Sequence, residues 1–221
     1  MDTTRKEIFL VFTGHEFGDG GDVIRRVLRK HGIPGSFFLT GDFYRNPNFS
    51  RLIRALKHDG HYLGAHSDKH LLYAAWGNRD SLLLSRAQFV EDLRGNYRAM
   101  KEFGIERRDA PFFLPPYEWY NASVASWCKE VGLVLVNFTP GTLSNADYTY
   151  PSGSWRYMSS DSIVGRILAF ERASRSGLNG FLLLTHIGVD ARRPDKFYLR
   201  LDGLITELQR RGYSFKRLGG N

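Results

Sequence analysis

A chain of 221 residues with 42% hydrophobic and 14% aromatic content can bury a sizeable core, and fits one α/β domain over residues 1–221 better than two small ones. It holds no run of 18 apolar residues, opens on Met1-Asp2-Thr3-Thr4-Arg5-Lys6-Glu7 without an apolar signal region, and has one cysteine, Cys128; the expectation is no membrane span, no signal peptide in this stretch and no internal disulfide, in a chain that could still be excised from a longer one. The formal charge of +8 is spread over pairs such as Arg25-Arg26, Arg107-Arg108 and Arg210-Arg211 beside apolar helical positions, without a zinc-finger, RRM or helix-turn-helix pattern, so it reads as solvated helix faces rather than a nucleic-acid stripe.

In chain order, residues 8–12 read as a strand. Residues 22–30 form a helix with Val23, Val27 and Leu28 inward, and residues 35–39 a second strand. A helix over 49–58 precedes a short strand at 61–65. Then follow a helix at 88–103, a strand at 111–114, a helix at 122–131 and a strand at 133–138. The run closes with a helix at 161–174, a strand at 180–185, a helix at 196–211 and a strand at 213–217. Alternation of this kind, with no repeat and no low-complexity linker, implies a parallel sheet curled into a closed or nearly closed barrel. Residues 139–160 form the one long irregular stretch, rich in Asn, Ser, Gly and Tyr; a loop that long in a compact domain is usually functional.

Parallel α/β folds gather their chemistry at strand ends, and four segments here end apolar runs with polar or unusual residues. They are Thr13-Gly14-His15-Glu16, His66-Ser67-Asp68-Lys69-His70, Pro115-Pro116-Tyr117-Glu118-Trp119, and Thr185-His186. His66 and His70 stand four apart, a spacing that puts two imidazoles on one face of a helical turn, where each can offer a neutral nitrogen to one divalent cation.

These motifs, in this order, resemble those of the polysaccharide deacetylases, the NodB-like carbohydrate esterases of family four. The resemblance runs from about Ile8 to Arg217. Ser36-Phe37-Phe38-Leu39-Thr40-Gly41 is similar to the family's second-strand signature. Gly60-His61-Tyr62-Leu63-Gly64-Ala65-His66 through His70 matches its metal motif, Pro115-Pro116-Tyr117 its groove motif, and Leu184-Thr185-His186 its last motif. The resemblance implies a distorted (β/α) barrel of about seven parallel strands. It also implies removal of acetyl groups from an oligo- or polysaccharide, as esters or amides, with a divalent metal. His66 and His70 would be ligands, His186 the general acid, and Tyr117 would shape the site and offer its backbone amide to the oxyanion. The family's substrates make a periplasmic or extracellular setting the expectation.

The departures concern the first motif. Where the family has two aspartates, a base and a ligand, this chain has His15 and Glu16. Glu16 can serve as an oxygen ligand, with Asp19 as the alternative carboxylate. His15 suits a base near neutral pH. The arginine that orients the family's base is replaced by Leu114 or Phe113, and Glu118, beside the Pro-Pro-Tyr turn, is a second candidate for base or for orienting His15. Two imidazoles and a carboxylate make zinc the default, with cobalt, nickel or iron also suited. Trp119 and Trp155 are candidates to stack on sugar rings; the bland reading makes them, with Trp76 and Tyr120, core or loop anchors. Two other classes remain open: a glycoside hydrolase using Glu16 and Glu118 without metal, and a catalytically silent carbohydrate-binding barrel.

Overall fold

The computed structural model describes residues 2–153 and 156–220. Its centre is a seven-stranded, all-parallel sheet: β1 (Glu7–Gly14), β2 (Ser36–Leu39), β3 (Tyr62–Ala65), β4 (Phe112–Phe113), β5 (Val134–Leu135), β6 (Phe181–His186) and β7 (Ser214–Lys216). The order is β5-β4-β3-β2-β1-β6. β6 runs along one edge of β1 from Ile8 to Thr13, so β7, at Glu7 to Phe9, and β2, at Val11 to Gly14, share the other edge. The sheet curls into a distorted barrel. Its two ends meet just beyond β5, where Thr139 donates its amide to Leu182 O (3.1 Å) and accepts the Leu182 amide on Oγ1 (3.0 Å).

The helices α1 (Gly21–His31), α2 (Gly41–Arg45), α3 (Ser50–His58), α4 (Arg86–Lys101), α5 (Ala122–Glu130), α6 (Ser160–Ala173) and α7 (Leu201–Arg210) lie between the strands. Strands covered on both faces need apolar residues at every position. β2 reads Ser-Phe-Phe-Leu with all four residues buried, and Phe12 stacks on Phe37 at 4.8 Å on the face of the sheet turned to Leu28 of α1. On α1 the buried line is Ile24 and Leu28, one helical turn apart, with Val23 turned off it. α2 is an element that the hydrophobic pattern does not announce: five residues are too few for a period, and Thr40 starts it by accepting the Phe43 amide on its side chain. The last helix begins at Leu201 rather than near 196, because Phe197–Leu199 form a separate 3-10 turn.

His61, at the foot of β3, is 8% exposed. Its Nδ1 accepts the Gly35 amide at 3.1 Å, so the ring proton sits on Nε2, which is buried without a partner. Burial pushes this imidazole down to about 4. A pKa lower in the folded than in the unfolded chain means that the unfolded chain binds the extra proton. The contribution of His61 to stability is therefore flat above pH ~6.5, the unperturbed value, and falls as the pH drops from there towards 4, by on the order of 3 kcal/mol. Urea unfolding at pH 7.5 and 4.5 should show that loss, and a flat profile would contradict it.

Candidate active site

Because every strand is parallel, the C-terminal ends all open on one face, and the residues that follow them converge there. They line a cavity of about 570 Å³ that includes His15, Glu16, His66, His70, Tyr117, Glu118 and His186. A second cleft, of about 440 Å³, lies on the flank of α4 and is walled mainly by aliphatic, Arg and Lys side chains; it is remote from the strand ends.

From β1 comes His15, whose Nδ1 shares a hydrogen bond with Thr40 Oγ1 at 3.1 Å. Gly14 before it admits no side chain: a Cβ would come within 2.6 Å of Ile187 Cγ2 and 2.9 Å of Leu39 Cδ2. Glu16 follows on the lip, exposed and, among the described residues, without a hydrogen bond or ion pair. Asp19, the alternative carboxylate, is committed elsewhere. It accepts the Val189 amide (2.9 Å) and the Tyr198 hydroxyl (2.7 Å), with Lys196 Nζ at 3.6 Å.

After β3, His66 donates Nδ1–H to Leu114 O at 2.7 Å, which leaves the Nε2 lone pair free. Burial pushes its pKa down to about 3, and that of His70 to about 2, so both rings are neutral. His70 lies between two rings: His15 stacks on it at 4.8 Å with an 11° interplanar angle, and Tyr117 sits 4.4 Å away. His66 meets it edge-on at 5.1 Å.

The loop that carries the two histidines is held from α4. Ser67 (φ 73°) and His70 (φ 56°) both take left-handed backbone, costly for residues with a Cβ. Asp92 Oδ1 accepts Ser67 Oγ–H (3.1 Å) and the amides of Asp68 (3.1 Å) and Lys69 (3.2 Å), while Oδ2 accepts the Tyr73 hydroxyl at 2.7 Å. One turn on, Asn96 Oδ1 accepts the His66 amide at 2.8 Å, and its amide nitrogen donates to Leu39 O at 3.2 Å. Two polar residues four apart on the buried face of a helix, among Phe89, Leu93, Ala99 and Met100, are a legible but easily overlooked signal.

The Pro-Pro-Tyr turn adds two more strained residues, Tyr117 (φ 58°) and Glu118 (φ 53°). Burial raises the Glu118 pKa above the usual carboxylate value, against the pull of His186 and a hydrogen bond from Asn145. At the end of β6, His186 donates Nδ1–H to Asp147 Oδ1 at 2.6 Å and its amide to Oδ2 at 2.8 Å. Burial alone would lower the imidazole pKa; the charge and hydrogen bond of Asp147, helped by Glu118, outweigh it and raise the value above 6.5. Asp147 itself is 2% exposed. It belongs to the long loop after residue 139, in a 3-10 turn (Ser144–Tyr148), and no local pattern links it to a histidine 39 residues away. Arg193, wholly buried, fixes that loop by donating to Thr149 O (2.5 Å), Met158 O (3.0 Å) and Ser160 Oγ (3.0 Å).

Trp119 is turned away from the cavity. Its Nε1–H donates to Ala75 O at 3.4 Å, the Arg79 guanidinium covers it at 4.2 Å, and Trp76 packs on it at 5.4 Å. Trp76 lines the cavity instead. Trp155 lies outside the described residues.

The donor types fit a borderline divalent cation: two neutral imidazoles, one with an oriented lone pair, and an unpartnered carboxylate on the same cavity wall. Among the described residues, however, no three His, Cys, Asp or Glu side chains are drawn together as a ligand set.

The family model for polysaccharide deacetylases matches residues 2–136. The chain belongs to the polysaccharide deacetylase family. Over 219 residues it is 26% identical to the peptidoglycan-N-acetylmuramic acid deacetylase PdaA of Bacillus subtilis, covering 98% of this chain and 72% of that protein. Its fold is shared with a family-four carbohydrate esterase pseudoenzyme from Bacillus anthracis (TM-score 0.74, 18% identity, 98% of this chain and 65% of that one). It is shared also with a family-four acetyl xylan esterase from Clostridium thermocellum in complex with a cobalt ion (TM-score 0.73, 20% identity, 96% and 88%).

The His186–Asp147 pair makes a measurable prediction. In Asp147→Asn the charge that holds the imidazole proton is gone and burial wins, so the His186 pKa should fall from above 6.5 to below it. Titration of the ring protons by NMR checks this; an unchanged midpoint would show that Asp147 does not set it.

Proposed function

We propose that this protein hydrolyses an acyl group, acetyl in the family's pattern, from a carbohydrate, with Glu118 as base and His186 as acid. What carries the reading is the convergence in one cavity of the His186–Asp147 pair, a carboxylate with a raised pKa, and two neutral imidazoles. Environments that push neighbouring titratable groups apart are how one pocket divides acid from base.

His66, His70 and Glu16 would hold a divalent cation, zinc by default. When bound, that cation supplies Lewis acidity towards the acyl oxygen and the attacking water. Glu118, whose pKa burial raises above the usual carboxylate value, takes the water proton as the oxygen adds to the acyl carbon. Tyr117, on the cavity wall, would offer its backbone amide to the developing oxyanion. His186, in its protonated form, delivers its proton to the departing sugar oxygen or nitrogen as the acyl bond breaks, and Asp147 orients the ring and raises its pKa. His15 is the alternative base. Its ring lies flat on His70 with Nδ1 engaged by Thr40, which favours a supporting part in the histidine cluster.

Family membership favours acyl transfer over glycoside cleavage by Glu16 and Glu118. The binding-only reading is kept alive by the absence of a drawn-in ligand set among the described residues. Acetate release from acetylated xylan and chitin oligomers, with zinc added or chelated, separates them. Release should depend on added metal. Glu118→Gln should cost roughly 100-fold or more in turnover, and His15→Ala clearly less. Full activity in Glu118→Gln with loss in His15→Ala would move the base to His15. No release by the wild type under any metal would leave a carbohydrate-binding barrel.

A further inference from the structure

Between β3 and α4 the chain makes an excursion whose tip carries Trp76, 58% exposed and on the wall of the cavity. An exposed indole on a loose loop would mean little, but this loop is braced at every level. Ala74 and Leu82 form an antiparallel bridge, Ala75 N–H donates to Ser81 O (2.9 Å), and Leu83 N–H donates to Tyr73 O (3.0 Å). From outside, Arg79 Nε–H donates to Tyr120 O (2.6 Å) and Asn121 Nδ2–H to Arg79 O (3.1 Å). At its base the Tyr73 hydroxyl is bound by Asp92, the carboxylate that also holds the His66–His70 loop.

Behind the indole the packing is continuous. Arg79 lies over Trp119, Trp119 meets Trp76 at 5.4 Å, Trp76 meets Tyr117 edge-on at 5.5 Å, and Tyr117 meets His70 at 4.4 Å. The result is an aromatic wall that starts at the histidine pair and ends on a rigid, wet ring. Such a surface suits a ligand with an apolar face and polar edges, because the ordering cost has been met in the fold.

We propose that Trp76 is the stacking platform for the sugar next to the one held in the cavity, so that the site reads at least two linked pyranoses. The proposal rests on the carbohydrate reading of the cavity, though not on its catalytic part. The wall runs from the reacting centre outward, so a glycan chain seated at His70 and His186 lays its neighbouring ring across Tyr117 and on to Trp76. Trp119 is the buttress behind it and makes no sugar contact.

The test is a chain-length series of one to six units, in β-1,4-linked N-acetylglucosamine and in acetylated xylose oligomers, followed by tryptophan fluorescence and by acetate release. In the preferred series affinity should rise by about tenfold or more between one and three units, the scale of one aromatic contact. Trp76→Ala should abolish that rise and lift KM for chains with little change in kcat, and Trp76→Tyr should largely restore it. A length dependence that persists in Trp76→Ala, or no oligomer binding in either series, would overturn the proposal. Length-dependent binding that Trp76→Ala removes, without acetate release, would uphold the subsite while sinking the hydrolase reading.

Discussion

Asp92 sits 8% exposed under the strand ends and commits both oxygens to its surroundings. Burial pushes its carboxyl up, while Tyr73, Ser67 and the amides of Lys69 and Asp68 pull the other way. A buried carboxylate is tolerated only when hydrogen bonds replace the water it has lost. Here those bonds hold a loop whose left-handed Ser67 and His70 would otherwise relax, and the same group anchors Tyr73 at the base of the Trp76 excursion. The histidine pair and the aromatic wall thus share one origin, a side chain that touches no substrate.

Around that frame, environment rather than residue type assigns the proton chemistry. Of the four histidines that line the cavity, burial makes His66 and His70 neutral, while the charge and hydrogen bond of Asp147 outweigh burial and raise His186 above the ordinary imidazole value. Glu118 is held on a strained turn, in a setting where its pKa rises. Strain of order 1–3 kcal/mol per left-handed residue is retained only where the surroundings over-determine it. With His15 and Glu16 in the first motif, it is other strand ends that bring Glu118 and His186, the groups proposed as base and acid, into the cavity.

Much of the fold can be read from the chain because a parallel barrel writes itself as alternating apolar runs and amphipathic helices. Short elements without a period escape, as α2 does. The strand-end rule also locates His66, His70, His186, Tyr117 and Glu118, which share one cavity. It cannot find partners supplied from afar: Asp147 lies in an irregular loop, Asp92 and Asn96 hide on a helix, and Arg193 locks the loop from beyond β6. Nor does residue type tell which tryptophan faces the cavity. Trp119 stands next to the motif in sequence, but Trp76 reaches the wall because the excursion folds back on the Pro-Pro-Tyr turn.

In the proposed reaction this chain's own carboxylate and imidazole divide the proton transfers of acyl hydrolysis. The pH dependence of kcat/KM for acetate release reports both groups in the free protein. A bell is predicted, its acid limb set by Glu118 above 4.5 and its alkaline limb by His186 above 6.5. A profile with no alkaline limb attributable to His186, unchanged when Asp147 is replaced by Asn, would contradict the account.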